Sequence, residues 1–524
     1  MNNLNESQQK AVESTSTRIV CLAGAGTGKS HTLISRISNL ISNRNVSASS
    51  ILALTFTNAA AAEMRRRFNE IYSNLDAEFR TFHGFCYKLI CTDRAVRNAI
   101  GYTNAPSIID DAALNGLANS IKLQFGINLS DSKLKSDGEK LNSTDKFKYD
   151  VYHKKLRSCM IQRNVITFDN LCRSVCDLFI SDHSSISMYK DKFKYIFVDE
   201  FQDTDKLQWS FVSSFKNASI FVCGDALQSI YSFRGADSSI IKSLCNSNDW
   251  NIIKLHQNYR STDQICKFAN SMSKYADDSY RICIDSNTQG EDVIVLPICH
   301  GVNDIYNVMN ELQDRPGTSA ILCRTNEEVR SVCSILESKS ISYWTGKSKY
   351  SDKLELLRCV GDISYSYDYM FDKLNEQEQT LVLSEDIDVK TFDELYGVFY
   401  RFETCKHDLD TISKLTDVLC SSTLNCIKVA DALKILDISI EISDDIDCDA
   451  IDYLLDKLKC VSSEGVYVGT IHSSKGLEYD NVYLLNVGSD KFKLNCEENY
   501  NLYYVGITRA KNTLTVFLDD RYIL

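Results

Sequence analysis

Short apolar runs that end in polar residues recur along the first half of the chain. They cover 18–23, 51–54, 195–198 and 220–223. The first run meets a glycine-rich turn at 24–28, and a stretch with apolar residues three and four positions apart follows it. Continuous apolar runs are typical of parallel strands buried on both faces, and the later spacing is that of an amphipathic helix. The pattern therefore predicts βαβ units and the α/β fold class.

A second set of apolar runs predicts a second parallel sheet. These runs lie at 252–255, 320–323, 466–468, 482–485 and 514–518. Two long segments with helical patterns, about 92–185 and about 346–464, interrupt the two sets. We therefore predict two parallel-sheet domains, each with a mostly helical insert.

The composition is that of an ordinary globular protein. Of 524 residues, 44% are hydrophobic, 24% are charged and 3 are proline, which excludes wholesale disorder and proline-rich linkers. No apolar run approaches the ~18 residues of a membrane span, and the N-terminal segment lacks the apolar core of a secretory signal. We therefore expect a cytoplasmic protein without a membrane partner.

Cysteine usage points in the same direction. The chain contains 20 cysteines, which are scattered singly and mostly in apolar stretches, without a CxxC pair. In a long chain without a signal peptide this usage favours reduced, buried thiols. A metal site or disulfides are the alternative. His83 and His472 stand far apart in the sequence, and we expect neither to bind a metal.

The net charge of −12 is unevenly distributed. Residues 361–464 contain 24 acidic and 9 basic residues, a net of −15, so the rest of the chain carries +3. The remainder can therefore still present basic surfaces to nucleic acid. The window 146–163 has six basic residues, one acid and interleaved aromatic residues. It predicts either a face that binds a nucleic-acid strand or a solvated helix face.

The glycine-rich turn fits a phosphate-binding loop. Its sequence, AGAGTGKS, has glycines that let backbone N–H groups face phosphate oxygens. Lys29 would reach the β- and γ-phosphates, and Ser30 would hold Mg²⁺. The predicted ATP-binding loop comprises Ala23, Gly24, Ala25, Gly26, Thr27, Gly28, Lys29 and Ser30.

Two carboxylates follow the apolar run at 195–198. A strand that delivers Asp199 and Glu200 at its carboxyl end places them where α/β sheets bind ligands. Asp199 would bind Mg²⁺, usually through water, and Glu200 would orient or deprotonate the attacking water. The sequence thus predicts a site that hydrolyses ATP with the help of Mg²⁺.

The order of these and further motifs resembles the UvrD/Rep/PcrA helicases of superfamily 1. Eight segments match the family's motifs at both ends and in the middle of the chain. They are LNESQQKAV at 4–12, TFTNAAAAEMRRR at 55–67, TFHGF at 81–85, VDEFQDT at 198–204, GDALQSIYSFRGA at 224–236, QNYRST at 257–262, TIHSSKGLEYD at 470–480 and YVGITRA at 504–510. The resemblance implies two RecA-like P-loop motor domains with ATP bound between them.

The resemblance also carries nucleotide-binding roles onto matching positions. Gln8 would read the adenine edge, Tyr259 would stack on the adenine, and Glu478 would contact the ribose. Gln228 would sense the γ-phosphate.

Two arginines complete the implied ATP site. Arg260 and Arg509 would act as arginine fingers, because phosphoryl transfer spreads charge over the γ-phosphate oxygens. An arginine from the second domain would complete that charge cage only when the domains close. The predicted catalytic set is Lys29, Asp199, Glu200, Gln228, Arg260 and Arg509.

For DNA, the resemblance points first to Phe233, which stands where the family usually has a base-stacking tryptophan. Phenylalanine keeps a π-face, so we expect stacking on a base of single-stranded DNA, with a core aromatic as the alternative. The other predicted strand contacts are Thr55, Thr57, Asn58, Arg65, Phe82, His83 and Thr470. Phosphate contacts supply affinity without sequence preference.

Three features depart from the family pattern. Ala59 stands where the family usually has a lysine, which removes one phosphate contact. Asn499–Asn501 replaces residues that are usually charged, and the acidic segment is shorter than the corresponding insert of the full-size bacterial enzymes. These departures concern unwinding and duplex contact and leave the ATP-hydrolysing set complete.

The sequence therefore predicts four domains. They are RecA-like domain 1A at 1–91 and 186–250, helical insert 1B at 92–185, RecA-like domain 2A at 251–345 and 465–524, and acidic insert 2B at 346–464.

The expected activity is that of an ATP-dependent helicase or translocase. By resemblance it moves 3′-to-5′ on single-stranded DNA and acts at duplex junctions, in DNA repair, replication or recombination. One alternative is a DNA-stimulated ATPase subunit of a repair or phage-defence complex, with a nuclease or repair-protein partner. The other alternative is a nucleotide-gated DNA-binding module, which the complete hydrolytic set argues against.

Overall fold

The chain divides into two units in the computed structural model. The first unit comprises Met1–Ser107, Phe168–Gly346 and Gly465–Leu524, and the second comprises Ile108–Thr167 and Lys347–Glu464. The structure describes residues 4–109, 111–134, 141–273, 280–298, 303–345, 432–436 and 465–522. Almost all of the predicted insert 2B lies outside these residues, and the four predicted domain boundaries stay predictions.

The first unit contains two six-stranded sheets. The strands of the first sheet are β1 (Arg18–Ala23), β2 (Ile51–Thr55), β3 (Glu78–Thr81), β6 (Tyr195–Val198), β7 (Ser219–Gly224) and β8 (Asn251–Leu255). Their order is β3-β2-β6-β7-β1-β8, and every pairing is parallel. Because the strands are parallel, the carboxyl ends of β1 and β6 lie at the same edge of the sheet.

The second sheet repeats this arrangement. Its strands are β9 (Ile294–Pro297), β10 (Ser319–Cys323), β11 (Tyr343–Trp344), β12 (Val466–Thr470), β13 (Tyr479–Val487) and β14 (Ala510–Leu518). The order is β11-β12-β10-β13-β14-β9, again with parallel pairings throughout. Two parallel sheets confirm the predicted α/β class.

Helices connect the strands of both sheets. The described helices of the first unit are α1 (Glu6–Glu13), α2 (Lys29–Arg44), α3 (Asn58–Ile71), α4 (Phe82–Thr92), α5 (Arg94–Ala99), α9 (Phe168–Ile180), α10 (Ser187–Lys192), α11 (Lys206–Ser213), α12 (Ser238–Cys245), α13 (Asp263–Ser273), α14 (Asn303–Asp314), α15 (Asn326–Ser338) and α16 (Glu497–Ile507). Among the described helices, none combines the length and the apolar character needed to span a bilayer.

Apolar burial on both faces holds each sheet in place. All five residues of β2 and all five of β10 are buried, as their continuous apolar runs predict. The first core adds Leu33 and Ile37 from α2 and Phe68 from α3, and the second adds Val332 and Leu336 from α15. Full burial of one such side chain contributes about 1.5–3 kcal/mol. The rigid strands therefore fix the positions of the loops at their carboxyl ends.

One strand belongs to a different sheet than the sequence predicts. The run Ile252–Leu255 was assigned to the second set, but β8 pairs with β1, with Val20 opposite Ile252. That prediction is wrong because an apolar run reports burial and not the identity of the neighbouring strand. β8 lies at the sheet edge, where Asn251 is exposed and the next three residues are half-buried. The chain therefore leaves the first sheet after Leu255.

The described residues of the first part of the second unit, Ile108–Thr167, form a small helical domain. Its elements are β4 (Ser107–Ile109), α6 (Asp111–Gln124), α7 (Asp131–Leu134), α8 (Ser143–Gln162) and β5 (Val165–Thr167). β4 and β5 form a two-stranded sheet, and Ile121, Leu129 and Met160 belong to the core.

The basic window at 146–163 falls on α8 of this unit. Tyr152 is buried and Tyr149 packs against the core, so only Phe147, which is 70% exposed, remains available among the three interleaved aromatic residues. Whether this helix face binds a nucleic-acid strand or is merely solvated stays a prediction.

Candidate functional site

The phosphate loop joins the end of β1 to the start of α2. Gly26 and Gly28 both have positive φ angles, 69° and 80°, which glycine adopts without steric cost. A Cβ on Gly26 would also lie 2.7 Å from Asn258 Nδ2 and 2.8 Å from Arg260 Cβ. The N-terminus of a 16-residue helix follows directly, so the loop presents backbone N–H groups and the positive helix end to an anion.

The predicted Mg²⁺ ligands lie together at the carboxyl edge of the first sheet. Ser30 Oγ donates to Asp199 Oδ2 at 3.0 Å, although 169 residues separate the two. Burial and the neighbouring Glu200 raise the pKa of Asp199, and the Lys29 ammonium opposes this shift. A hydroxyl and a carboxylate are the oxygen ligands that Mg²⁺ prefers, so this donor set fits the ion.

Glu200 is half-buried and has an unusual backbone conformation. Its φ of 50° lies in the left-handed region. Residues other than glycine rarely adopt this backbone conformation, and those that do are often found at functional sites. The carboxylate accepts a 2.5 Å hydrogen bond from Gln202 Nε2. Burial alone would raise the pKa of Glu200, but the charges of Lys29 and Lys475 and the Gln202 hydrogen bond outweigh it and lower that pKa. The carboxylate is therefore ionised at neutral pH.

A buried ion pair connects the segment after β12 to the segment after β6. Lys475 Nζ lies 2.5 Å from Asp203 Oδ2 and donates to the Gln228 carbonyl oxygen at 2.8 Å. Both charged side chains are more than nine-tenths buried, and burial raises the pKa of Asp203 to about 6, against the opposing charge of Lys475. Gln228 Nε2 in turn donates to Asp225 Oδ2 at 2.7 Å. Sequence reasoning missed Lys475 and Asp203, although both lie inside quoted motifs.

The two predicted arginine fingers differ in their surroundings. Arg509 is buried and donates to the Val505 carbonyl at 2.9 Å, and burial lowers its pKa to about 9, with Arg260 adding to the shift. The charge of Glu200 counters this shift of the Arg509 pKa. Arg260 donates to Glu478 at 2.7 Å and to the Thr508 carbonyl at 3.1 Å.

The predicted adenine and ribose contacts surround the phosphate loop. Gln8 is buried, and its Nε2 donates to the Thr27 carbonyl at 3.1 Å. The ring of Tyr259 is 57% exposed, as a stacking residue requires, while its hydroxyl accepts from Asn5 at 2.8 Å. Glu478 is held by Arg260 and by Lys511, whose Nζ lies 2.9 Å from its carboxylate.

The segment 257–262 bonds to both sheets as it crosses between them. Asn258, which is buried, donates to the Ala25 carbonyl of the phosphate loop at 2.7 Å. Ser261 Oγ donates at 2.6 Å to the carbonyl of Ala510, the first residue of β14. Asn258 was also missed from the sequence, because its partner is a backbone atom that no side-chain pattern marks.

Asn501 makes a related contact from α16. It belongs to the departure at Asn499–Asn501, is buried, and donates to the Ser229 carbonyl at 3.1 Å. A neutral amide thus bonds the segment that carries Gln228, where the family usually has charged residues. Ala59, the other local departure, is exposed in the first turn of α3.

Four rings form an aromatic cluster a few residues beyond Gln228: Phe56, Tyr231, Phe233 and His472. Phe56 stacks on Tyr231 with centroids 5.5 Å apart, and the His472 ring lies 5.6 Å from Phe233. Phe233 is 64% exposed, which rules out the alternative that it is a core aromatic. Lys475 Nζ lies 4.8 Å from the Tyr231 centroid, so this one ammonium contacts both the aromatic cluster and Asp203.

A cavity of about 640 Å³ collects several of the other predicted DNA contacts. Thr55, Asn58, Phe82 and His83 line it. The Thr55 hydroxyl is buried and has no hydrogen-bond partner among the described residues, and His83 stacks on Phe168 at 4.1 Å. Phe82 is only 4% exposed, so little of its ring is available to a strand.

The remaining three predicted DNA contacts have local structural partners. Thr57 caps α3 by accepting from the Ala60 N–H at 3.1 Å. Arg65 donates to the Phe79 carbonyl at 2.6 Å, and Thr470 accepts from the Ser473 N–H at 3.1 Å. The structure does not gather these three into the cavity, and their DNA roles stay predictions.

Comparison with known proteins gives a consistent result. The family model for the UvrD/REP helicase N-terminal domain matches residues 4–249, and that for the UvrD-like helicase C-terminal domain matches 253–359 and 348–520. The chain is 32% identical to the ATP-dependent DNA helicase PcrA of Staphylococcus aureus (strain Mu50), over 68% of this chain and 52% of that protein. It is 30% identical to PcrA of Bacillus subtilis (strain 168), with the same two shares. The chain thus spans about half the length of the curated relatives it matches.

The phosphate loop after β1 and the Asp199-Glu200 pair after β6, at the same edge of the first parallel sheet, define a P-loop protein with two parallel α/β sheets. The two family models together cover nearly all of its length. The chain belongs to the UvrD-like helicase family.

Proposed function

We propose that the chain is an ATP-dependent DNA helicase or translocase that moves 3′-to-5′ on single-stranded DNA. One observation carries this proposal: the first sheet supplies Ser30, Asp199 and Glu200, while Arg260 and Arg509 approach from the side of the second sheet. Such a divided site can hydrolyse ATP only when both sheets contribute. We place the activity in DNA repair, replication or recombination, and the family match favours neither alternative considered from the sequence.

The residues around the loop have distinct tasks in this proposal. Ser30 and Asp199 hold Mg²⁺, which when bound neutralises charge on the phosphate oxygens. The loop N–H groups and Lys29 bind the β- and γ-phosphates. Glu200, kept ionised by its surroundings, orients the attacking water and accepts its proton.

Two arginines on the side of the second sheet complete the site. Arg509 and Arg260 stabilise the charge that develops on the γ-phosphate oxygens. Both guanidinium groups donate to backbone carbonyls, and Arg260 also pairs with the Glu478 carboxylate. A bound phosphate anion would offer Arg509 a charged partner in place of a neutral carbonyl, which would favour closure of the site.

The aromatic cluster is the proposed platform for single-stranded DNA. Exposed rings stack on bases without selecting a sequence, at about 1–3 kcal/mol per base. Lys475 supports coupling, because it contacts the Tyr231 ring and also bonds Asp203 and the Gln228 carbonyl. A base that displaces Tyr231 would therefore disturb the ion pair beside the hydrolytic carboxylates.

The test combines ATP hydrolysis with strand polarity. ATPase rates are measured with and without single-stranded DNA, and unwinding is measured on duplexes with a 3′ or a 5′ tail. We expect DNA to stimulate hydrolysis and the 3′-tailed duplex to be the one unwound. Hydrolysis that ignores DNA would overturn the helicase proposal, and unwinding of the 5′-tailed duplex alone would overturn the polarity.

A further inference from the structure

Three cysteines from two helices meet in the interior of the first unit. They are Cys86 on α4 and Cys172 and Cys176 on α9. The Cys86 and Cys172 sulfurs are 4.0 Å apart, those of Cys172 and Cys176 are 3.9 Å apart, and all three lie within 4.8 Å of one another. All three are buried and form no disulfide, as the cysteine usage predicts, and the fold brings together positions separated by 86 residues.

Helix geometry explains why the three sulfurs lie close together. Cys172 and Cys176 are four positions apart and so lie on one face of α9. The thiol of Cys86 reaches this face from α4, and all three side chains are buried. No other group of three metal-binding side chains has this proximity among the described residues.

The spacing of the sulfurs fits a tetrahedral metal ion. Zinc–thiolate bonds of about 2.3 Å place two ligand sulfurs at about 3.8 Å from each other in a tetrahedron. Two of the three sulfur–sulfur separations are already 3.9 and 4.0 Å. Little movement is therefore needed to bring all three sulfurs to the spacing of zinc ligands. Soft thiolate ligands select zinc over magnesium, which binds oxygen.

The surroundings provide access to the three sulfurs. Cys172 lines the same 640 Å³ cavity as His83 and Asp205, which gives an ion and a water molecule a path to the sulfurs. Cysteine binds a metal as the thiolate, so the thiol protons must leave when the ion enters.

We propose that Cys86, Cys172 and Cys176 form a Zn²⁺ site with three thiolate ligands and a water molecule from the cavity in the fourth position. Binding releases the thiol protons to solvent, so affinity falls as the pH is lowered. The ion would tie α4, which begins with the Phe82–His83 motif, to α9, which follows the second unit's β5 in the chain. This proposal does not depend on the proposed helicase activity.

The test uses the full-length reduced chain without nucleotide or DNA. Zn²⁺ is titrated in competition with a chromophoric chelator, and Co²⁺ is titrated separately to record the thiolate-to-cobalt absorption. We expect one tightly bound equivalent of Zn²⁺, a cobalt band with the intensity of three thiolates, and a higher melting temperature with Zn²⁺.

Two variants and a matched control locate the site. Cys172→Ser and Cys176→Ser should each lose the tight equivalent and the cobalt band. Cys323→Ser, at a buried cysteine on β10 outside the trio, should keep both. Equal binding by the wild type and both trio variants would mean an adventitious ion only, and the proposal would fall.

The cobalt spectrum of the wild type covers the case in which a variant does not fold. A wild-type band without thiolate character, or with the intensity of one thiolate, would also overturn the site. Because none of these readouts involves ATP, an inactive helicase and an absent metal site give different results.

Discussion

The nucleotide site and the aromatic cluster lie at opposite ends of the segment 224–236, and they are built differently. At the nucleotide end Gln228 and Asp225 are buried and hydrogen-bonded to each other. At the other end Phe233 is 64% exposed, and its ring contacts the rings of Tyr231 and His472 and the guanidinium of Arg234, which lies 5.6 Å from its centroid. Phosphate chemistry requires polar groups fixed before the substrate arrives, whereas base stacking requires an open apolar face. Substitutions at the two ends should therefore fail in different ways.

The largest expected effect is at the phosphate loop. Lys29→Ala should abolish ATP hydrolysis, because no other side chain of the loop carries a positive charge. The melting temperature should change little, since the one hydrogen bond that Lys29 makes among the described residues is a long 3.4 Å contact to the Ala23 carbonyl, beside its charge interactions with Asp199 and Glu200. Lys10→Ala, on an exposed position of α1, is the matched control and should hydrolyse ATP normally. Turnover at the wild-type rate in Lys29→Ala would refute the assignment of the loop.

Lys475→Met tests the connection between the two ends. It leaves Asp203 buried without its cation, which typically costs about 3–5 kcal/mol of stability. Denaturant unfolding should show this loss, and stimulation of the ATPase by DNA should fall. Adding Asp203→Asn should recover part of the stability but not the stimulation, because the contact with Tyr231 stays lost. A double variant that regains full stimulation would show that the ion pair does not couple the two sites.

Glu200→Gln separates catalysis from nucleotide binding at the nucleotide site. The amide keeps the size of the side chain but cannot accept the proton, so turnover should fall on the order of 10²-fold or more. Nucleotide affinity, measured with a fluorescent ATP analogue, should remain. Glu70→Gln on α3, which is exposed, should leave turnover unchanged. If ATP binding vanished together with turnover, Glu200 would have to be structural.

The smallest expected effect lies at the exposed end. Phe233→Ala should raise the Kd for single-stranded DNA by roughly 5- to 150-fold, which corresponds to about 1–3 kcal/mol for one stacked base. Basal ATPase and melting temperature should persist because the ring is exposed, and Phe233→Trp should restore affinity. Tyr306→Ala, at a 39% exposed ring on α14, serves as the control. A fall in melting temperature together with basal activity would contradict the stacking role.

Sequence reasoning worked where chemistry is local. Three features each occupy one short segment: the apolar run that ends at Ala23, the glycines after it, and the carboxylates after Val198. The structure places the end of a strand at Ala23 and at Val198. It failed where partners are distant: β8 joins the first sheet, and Lys475 meets Asp203 across 272 residues. Apolar periodicity reports which residues are buried, but not which buried surfaces meet.

The path of the chain after β8 has a mechanical consequence. The crossing segment is bonded to the phosphate loop, by Asn258 to Ala25 and by the Tyr259 N–H to the Gly26 carbonyl at 2.9 Å, and to β14 by Ser261. Any rotation of one sheet against the other about this segment displaces atoms in proportion to their distance from it. A nucleotide on the loop would therefore sit at the fulcrum, where movement is least. The parts of the two sheets furthest from this segment would move most. Under the proposed function, a small adjustment around a phosphate would therefore become a larger step along the DNA strand.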